Sequence, residues 1–113
     1  MMSRDEQPEG ILTRVILRLV SALSPERIYL FGSRARGDAT HDSDYDLLVV
    51  VPRSEHPRYV REQAAYRALA GQGSGVPIEI VVLTREEFEQ ELPALASLPA
   101  TVAREGRLLY PAT

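Results

Sequence analysis

From Ile11 to Leu23 the apolar residues Ile11, Leu12, Val15, Ile16, Leu19, Val20 and Leu23 return every three or four positions, the spacing of one helical face. Ser24-Pro25 breaks the pattern. Arg27 to Phe31 then reads as a short strand, rich in Ile, Tyr, Leu and Phe and ended by Gly32. A polar loop follows from Ser33 to Ser43, with Gly37, Asp38, Thr40 and Asp42 as turn formers. Its start, Ser33 to Gly37, is compatible with one helical turn. Asp44 to Val51 opens as Asp-Tyr-Asp, continues with five apolar residues from Leu47 to Val51, and is closed by Pro52. Such a run suits a strand buried on both faces at the centre of a sheet.

His56-Pro57 opens a second helix, with Pro57 at its first position, running to about Ala70, where Gly71, Gly73 and Gly75 end it. Val76 to Leu83 is a third strand, in which Pro77 is tolerable only near the start. Thr84-Arg-Glu-Glu87 has the form of a capping box, and Leu83 and Phe88 stand where a hydrophobic staple places them. A helix therefore starts there, limited by Pro93. A last helical stretch, Pro99 to Glu105, ends at Gly106, and Leu108 to Tyr110 returns to the sheet. Strands and helices alternate without repeats or a linker. The expected fold is α/β (α+β): one domain over residues 1–113, a small mixed sheet, and helices packed mainly on one side.

Composition narrows the functions. A chain of 113 residues supports one core and leaves no room for a separate substrate-binding domain, so an acceptor is expected to dock from outside. With 44% apolar and 26% charged residues the chain should fold rather than stay disordered. Its net charge of −3 gives no positive field to hold a nucleic acid backbone, so nucleic acid is unlikely as a direct ligand. There is no cysteine, hence no disulfide and no thiolate metal site. Met1 to Gly10 is polar rather than signal-like, and no apolar run approaches the roughly 20 residues of a membrane span. A cytoplasmic location is the default expectation.

The chemistry concentrates between Phe31 and Val50. Asp44 and Asp46 stand two residues apart at a strand opening, so they share one face with Cα atoms roughly 6.5 to 7 Å apart. Two like charges at the mouth of a buried strand repel and call for a cation between them. Mg²⁺ fits, because it takes oxygen ligands, one or two carboxylates with substrate phosphates and water. Glu79 lies between Ile78 and Ile80, and alternation puts it opposite them. If its strand pairs with Asp44 to Val51, three acids converge on a site able to hold two ions about 3.5 to 4 Å apart. Gly32-Ser33 lets backbone amides approach a phosphate, to which Ser33 Oγ could also donate. Arg34 and Arg36 could contact a triphosphate or a leaving pyrophosphate.

These residues resemble a known signature. Gly-Ser, ten intervening residues and Asp-any-Asp followed by apolar residues resembles the DNA polymerase β-like nucleotidyltransferase superfamily. Gly32, Ser33, Asp44 and Asp46 match it position by position, and Gly-Ser-any-Ala-Arg-Gly looks like the minimal nucleotidyltransferases of prokaryotes. The likeness extends to the short length, the third-strand acid and the ending Ala103-Arg-Glu-Gly-Arg-Leu-Leu-Tyr110, and so covers nearly the whole chain. It implies a palm-like nucleotidyltransferase fold in which Asp44, Asp46 and Glu79 bind two Mg²⁺ ions and are catalytic. It further implies that Gly32, Ser33 and Arg36 hold the nucleotide, and that AMP passes from ATP to an acceptor hydroxyl. Many such proteins are encoded beside a HEPN-domain toxin, which they adenylylate or bind in a hetero-oligomeric complex as its antitoxin. The departure is Glu79, where the family usually has Asp.

Blander readings stand beside these. Asp is common in turns, Gly-Ser pairs mark many turns, and Glu79 could be a solvent-facing strand acid. His41 and His56 lie in polar loops and receive no metal role. The Arg61-Glu62 and Arg85-Glu86-Glu87-Glu89 charges read as solvated helix faces. Two functional alternatives compete with protein adenylylation. One is a non-catalytic antitoxin or nucleotide-binding module that blocks its partner by contact; the other is an antibiotic-modifying nucleotidyltransferase, against which the short length argues.

Overall fold

In the computed structural model, which describes residues 8–40, 43–71 and 77–111, nine elements follow in order. They are α1 (Pro8–Leu23), β1 (Arg27–Phe31), α2 (Ser33–Arg36), β2 (Tyr45–Val51), α3 (Arg58–Ala68), β3 (Ile78–Thr84), α4 (Arg85–Glu91), α5 (Leu98–Glu105) and β4 (Arg107–Tyr110). The periodic apolar run forms α1, and β1 has the expected bounds. Pro57 caps α3 in an extended conformation (φ −66°, ψ 162°) instead of being its first helical residue. The helix stops at Ala68, and Gly71 follows in the left-handed region (φ +82°). Asp42, Gly73, Gly75 and Val76 lie outside the described residues, so the expected strand is seen from Ile78 onward.

The four strands form one mixed sheet in the order β3-β2-β1-β4. β1 is antiparallel to β2 and to β4, while β2 and β3 run parallel. The continuous apolar run of β2 is explained by its place inside the sheet with both faces covered: Leu47 to Val51 are all buried. On one face Ile28, Leu30, Tyr45, Leu47, Val49, Ile80 and Val82 pack with Ile11, Leu12, Val15 and Leu19 of α1 and Ala65 of α3. On the other, Leu48, Val50 and Leu83 pack with Phe88 of α4 and Val102 of α5. The two longest helices thus share one face, and the two short C-terminal helices cover part of the opposite one.

The step from β3 into α4 is fixed locally. The Glu87 N–H donates to Thr84 Oγ1 (3.1 Å) and the Thr84 N–H donates to Glu87 Oε1 (2.8 Å), so the capping box is complete. Leu83 and Phe88 are buried in the same cluster, as a staple requires.

β3 is an edge strand, and such edges expose unpaired amides and carbonyls. Side chains of α3 cover this one. Tyr66 Oη accepts from the Ile80 N–H (2.9 Å), Glu62 Oε2 accepts from the Val82 N–H (3.1 Å), and Arg61 Nη1 donates to the Val82 carbonyl (3.1 Å). The sequence reading of Arg61-Glu62 and Glu87 as solvated is therefore corrected: Arg61 is only 8% exposed and is tied to Glu87 across α3 and α4. Arg85 is exposed and pairs with Glu26.

Candidate active site

Strand alternation decides where the acids go. In β2, Tyr45, Leu47 and Val49 turn toward α1 and α3, so Asp46 turns the other way with Leu48 and Val50. In β3, Ile80 and Val82 join the α1 and α3 side, which leaves Glu79 on the face of Asp46. The parallel register then sets Asp46 directly beside Glu79, and on its other side Asp46 faces Phe31 of β1. The helices α4 and α5 cover this face only over its far part, at Leu48, Val50 and Leu83. At the near end Asp46 is half-buried and Asp44 and Glu79 are exposed. The pairing that the sequence made conditional is therefore present.

The parallel register sets the carboxyl groups of Asp46 and Glu79 side by side on one face of the sheet. Burial, foremost, raises the Asp46 pKa; the neighbouring carboxyls of Glu79 and Asp44 add to the rise, and Arg36 opposes it. Asp44 stands just ahead of β2, close enough to act on Asp46 through its charge. Among the described residues no three His, Cys, Asp or Glu side chains are gathered tightly enough to enclose a metal ion. Asp46 and Glu79 are neighbours in register, with the charge of Asp44 acting on Asp46. The donors are all hard carboxylate oxygens, and the electrostatic demand is for a cation, so the set fits Mg²⁺ by chemistry.

The turn after β1 lies against this pair. Gly32 has φ +76° and ψ −159°, a conformation that L side chains rarely adopt. A Cβ built there would overlap Asp46 Oδ2 and lie 3.2 Å from its Cγ. Both backbone and space demand glycine at this position. The one-turn helix α2 follows: the amides of Ala35 and Arg36 donate to the Gly32 carbonyl (3.1 Å each), and Gly37 closes it in the left-handed conformation. Ser33 is half-buried at the head of that turn.

The two arginines of α2 have different fates. Arg36 is exposed, donates from Nε to Asp38 Oδ2 (3.3 Å), and stands near enough to the acids to lower the Asp46 pKa. Arg34 is engaged with β2: its guanidinium lies over the Tyr45 ring at 4.0 Å from the centroid and its Nε donates to the Ser43 carbonyl at 3.0 Å. The aromatic between the two Asp residues was the available sequence signal for that contact. His56 is exposed, and His41 lies outside the described residues. An open cavity of about 560 Å³, lined by Ser54, His56, Arg61, Thr84, Glu86 and Glu87, sits beyond the C-terminal ends of β2 and β3, roughly 20 Å along the strands from the acids. It is separate from the acid site.

Known proteins resemble this chain in sequence and fold. The putative protein adenylyltransferase MJ0604 of Methanocaldococcus jannaschii is 36% identical over 85 residues, which is 75% of this chain and 78% of that protein. A nucleotidyltransferase structure from Sulfolobus solfataricus is 28% identical with a TM-score of 0.57, covering 71% of this chain and 69% of its own. A toxin-antitoxin structure with AMP-PNP shares the fold at 24% identity and a TM-score of 0.52, over 88% of this chain and 73% of that one. The nucleotidyltransferase domain family matches residues 12–109, a span that holds the Gly32-Ser33 turn, Asp44, Asp46 and Glu79. On that match and on this geometry, the chain belongs to the nucleotidyltransferase domain family.

Proposed function

We propose that this nucleotidyltransferase transfers AMP from ATP to a hydroxyl group of a partner protein, and that the partner is a HEPN-domain toxin neutralised within a hetero-oligomeric complex. The observation that carries the reading is the Asp46–Glu79 carboxyl pair on the uncovered end of the sheet, with Gly32 packed against it. Similarity to a protein named as an adenylyltransferase and the fold shared with a toxin-antitoxin structure holding AMP-PNP support the acceptor class and the nucleotide. The family signature in Gly32-Ser33 and Asp44-Tyr45-Asp46 supports ATP with Mg²⁺.

In this reading Asp44, Asp46 and Glu79 would hold two Mg²⁺ ions. Bound there, Mg²⁺ supplies neutralisation of phosphate charge and acidifies the attacking hydroxyl. Gly32 lets its backbone approach the triphosphate, and Ser33 Oγ donates to the same oxygens. Arg36, exposed beside the acids, receives the leaving pyrophosphate through its guanidinium. The uncovered sheet end admits an acceptor side chain in line with the α-phosphate, so positioning and electrostatics account for catalysis without a covalent enzyme intermediate. The test is incubation of the chain and its partner with labelled ATP. Wild type labels the partner and Asp46→Asn does not; equal labelling by both sinks the reading.

A second reading, blockade of the partner by binding alone, draws on Glu79 in place of the family's usual Asp. A stable complex that protects against the toxin without any transferred label would establish it.

A further inference from the structure

Arg34 sits in the middle of α2, and its side chain reaches β2. Tyr45, on which its guanidinium lies, is 1% exposed and packs in the cluster beneath α1 and α3. That ring is therefore fixed from behind by the core. Because successive strand residues face opposite ways, Tyr45 and the acids on either side of it point to different faces of the sheet. Arg34 thus lies on the side of β2 away from Asp46. Its Nε bond ends on the carbonyl of Ser43, the residue immediately before Asp44. Beyond the strand opening, the Tyr45 N–H donates to the Pro77 carbonyl (3.0 Å), which ties the same point to the start of β3 and so to Glu79. α2 has no fully buried residue of its own, and only Ala35 packs partly into the core. A turn so lightly anchored needs a tether if it is to keep a fixed distance from the acids.

We infer that Arg34 is a positioning residue that locks the Gly32-Ser33 turn to the opening of β2, setting where Asp44 and Asp46 stand relative to the nucleotide phosphates without touching the nucleotide. The inference rests on the transfer reading above for its catalytic consequence, but not for its structural one. The shape of the guanidinium matters as much as the charge: its carbon lies over the Tyr45 ring while its Nε bonds the Ser43 carbonyl, and an ammonium cannot do both. Loss of the tether misplaces acids and phosphates by fractions of an ångström, which affects the reacting geometry more than the bound ground state.

Arg34→Lys, Arg34→Met and Arg36→Met are to be compared with wild type in two measurements. In single-turnover and steady-state AMP transfer to the partner, both Arg34 variants lower kcat about 10- to 100-fold with KM for ATP within about 3-fold, whereas Arg36→Met mainly raises KM. In hydrogen exchange without nucleotide, the peptide covering Ser43 to Val51 loses protection in both Arg34 variants. Wild-type transfer by Arg34→Lys, a tenfold rise in KM with kcat intact, or unchanged exchange at residues 43–51 overturns the inference. Should Arg34→Met fail to fold, Arg34→Lys carries both readings. If wild type itself transfers no AMP, the transfer reading fails, while the exchange measurement still decides the role of Arg34.

Discussion

Arg61 grips Glu87 with both arms of its guanidinium, Nη1 to Oε1 at 2.7 Å and Nη2 to Oε2 at 3.0 Å, joining α3 to α4 across the end of β3. The same arginine donates through Nε to the His56 carbonyl (3.1 Å) and through Nη1 to that of Val82. One side chain therefore closes a loop, a strand edge and two helices. These bonds, chiefly the one from Arg61, hold the Glu87 pKa down at about 2 against 4.5. A depressed carboxylate pKa contributes stability that is fully present above the unfolded value and lost as pH falls through the folded one. The melting temperature of wild type should hence fall between about pH 4.5 and 2 more steeply than that of Glu87→Gln, which lacks this titration. Because Glu87 is 39% exposed, the contribution near neutral pH is about 1 to 2 kcal/mol rather than the full shift. Thermal melts across that pH range check it, and parallel curves would count against the pairing.

Removing the arginine is the harsher change. Arg61→Met should cost about 2 to 4 kcal/mol, since it strands the Glu87 carboxylate and two carbonyls whose partner was buried. Denaturant unfolding at neutral pH measures this.

Gly32→Ala tests the closeness of the turn to the acids. The substitution places a Cβ at positive φ and onto Asp46 Oδ2, so about 1 to 3 kcal/mol of stability should be lost. The structural shift falls on the carboxylate, and AMP transfer should drop further than the loss of folded protein explains. Unfolding curves and transfer rates on the same preparation separate the two effects.

The crowded acid pair costs stability. Asp46→Asn removes a half-buried carboxylate crowded by Glu79 and Asp44, so in EDTA its melting temperature should rise above wild type at pH 8 while transfer falls at least about 100-fold. Glu79→Gln should lose transfer but keep most ATP affinity, because Asp44 and Asp46 remain for the nucleotide-bearing ion. Calorimetry of ATP binding beside single-turnover rates checks both, and wild-type transfer by Glu79→Gln makes Glu79 a surface acid only.

Tyr66→Phe deletes the hydroxyl that accepts from the Ile80 amide at the sheet edge. The expected cost is about 1 kcal/mol, with faster hydrogen exchange localised at Ile80.

What the sequence made legible were patterns carried by neighbours in the chain. The bounds of β1, the buried run of β2 and the Thr84 capping box each depend on a few adjacent residues, whose spacing states the period or the cap outright. The Asp44-Tyr45-Asp46 opening and its approach to Glu79 were legible for a similar reason, once the strands were allowed to pair. Contacts between distant residues were not. Arg61 and Glu87 lie 26 positions apart, and nothing in either helical stretch marks those two charges as different from their exposed neighbours. The same holds for Arg34, whose contact with Tyr45 depends on which face of β2 the ring occupies. Coverage of the second sheet face by α4 and α5 depended on helices too short to show a firm period.

The parallel register of β2 and β3 makes the core a proofreader of the chemistry. Slipping β3 by one residue would turn the Glu79 carboxylate under α1 and α3, into the apolar cluster that Ile80 and Val82 now fill, a burial without a partner that costs several kcal/mol. The apolar side of β3 thus acts as the alignment key for the acid on its other side, and a copy with that carboxylate misaligned is eliminated by its own instability.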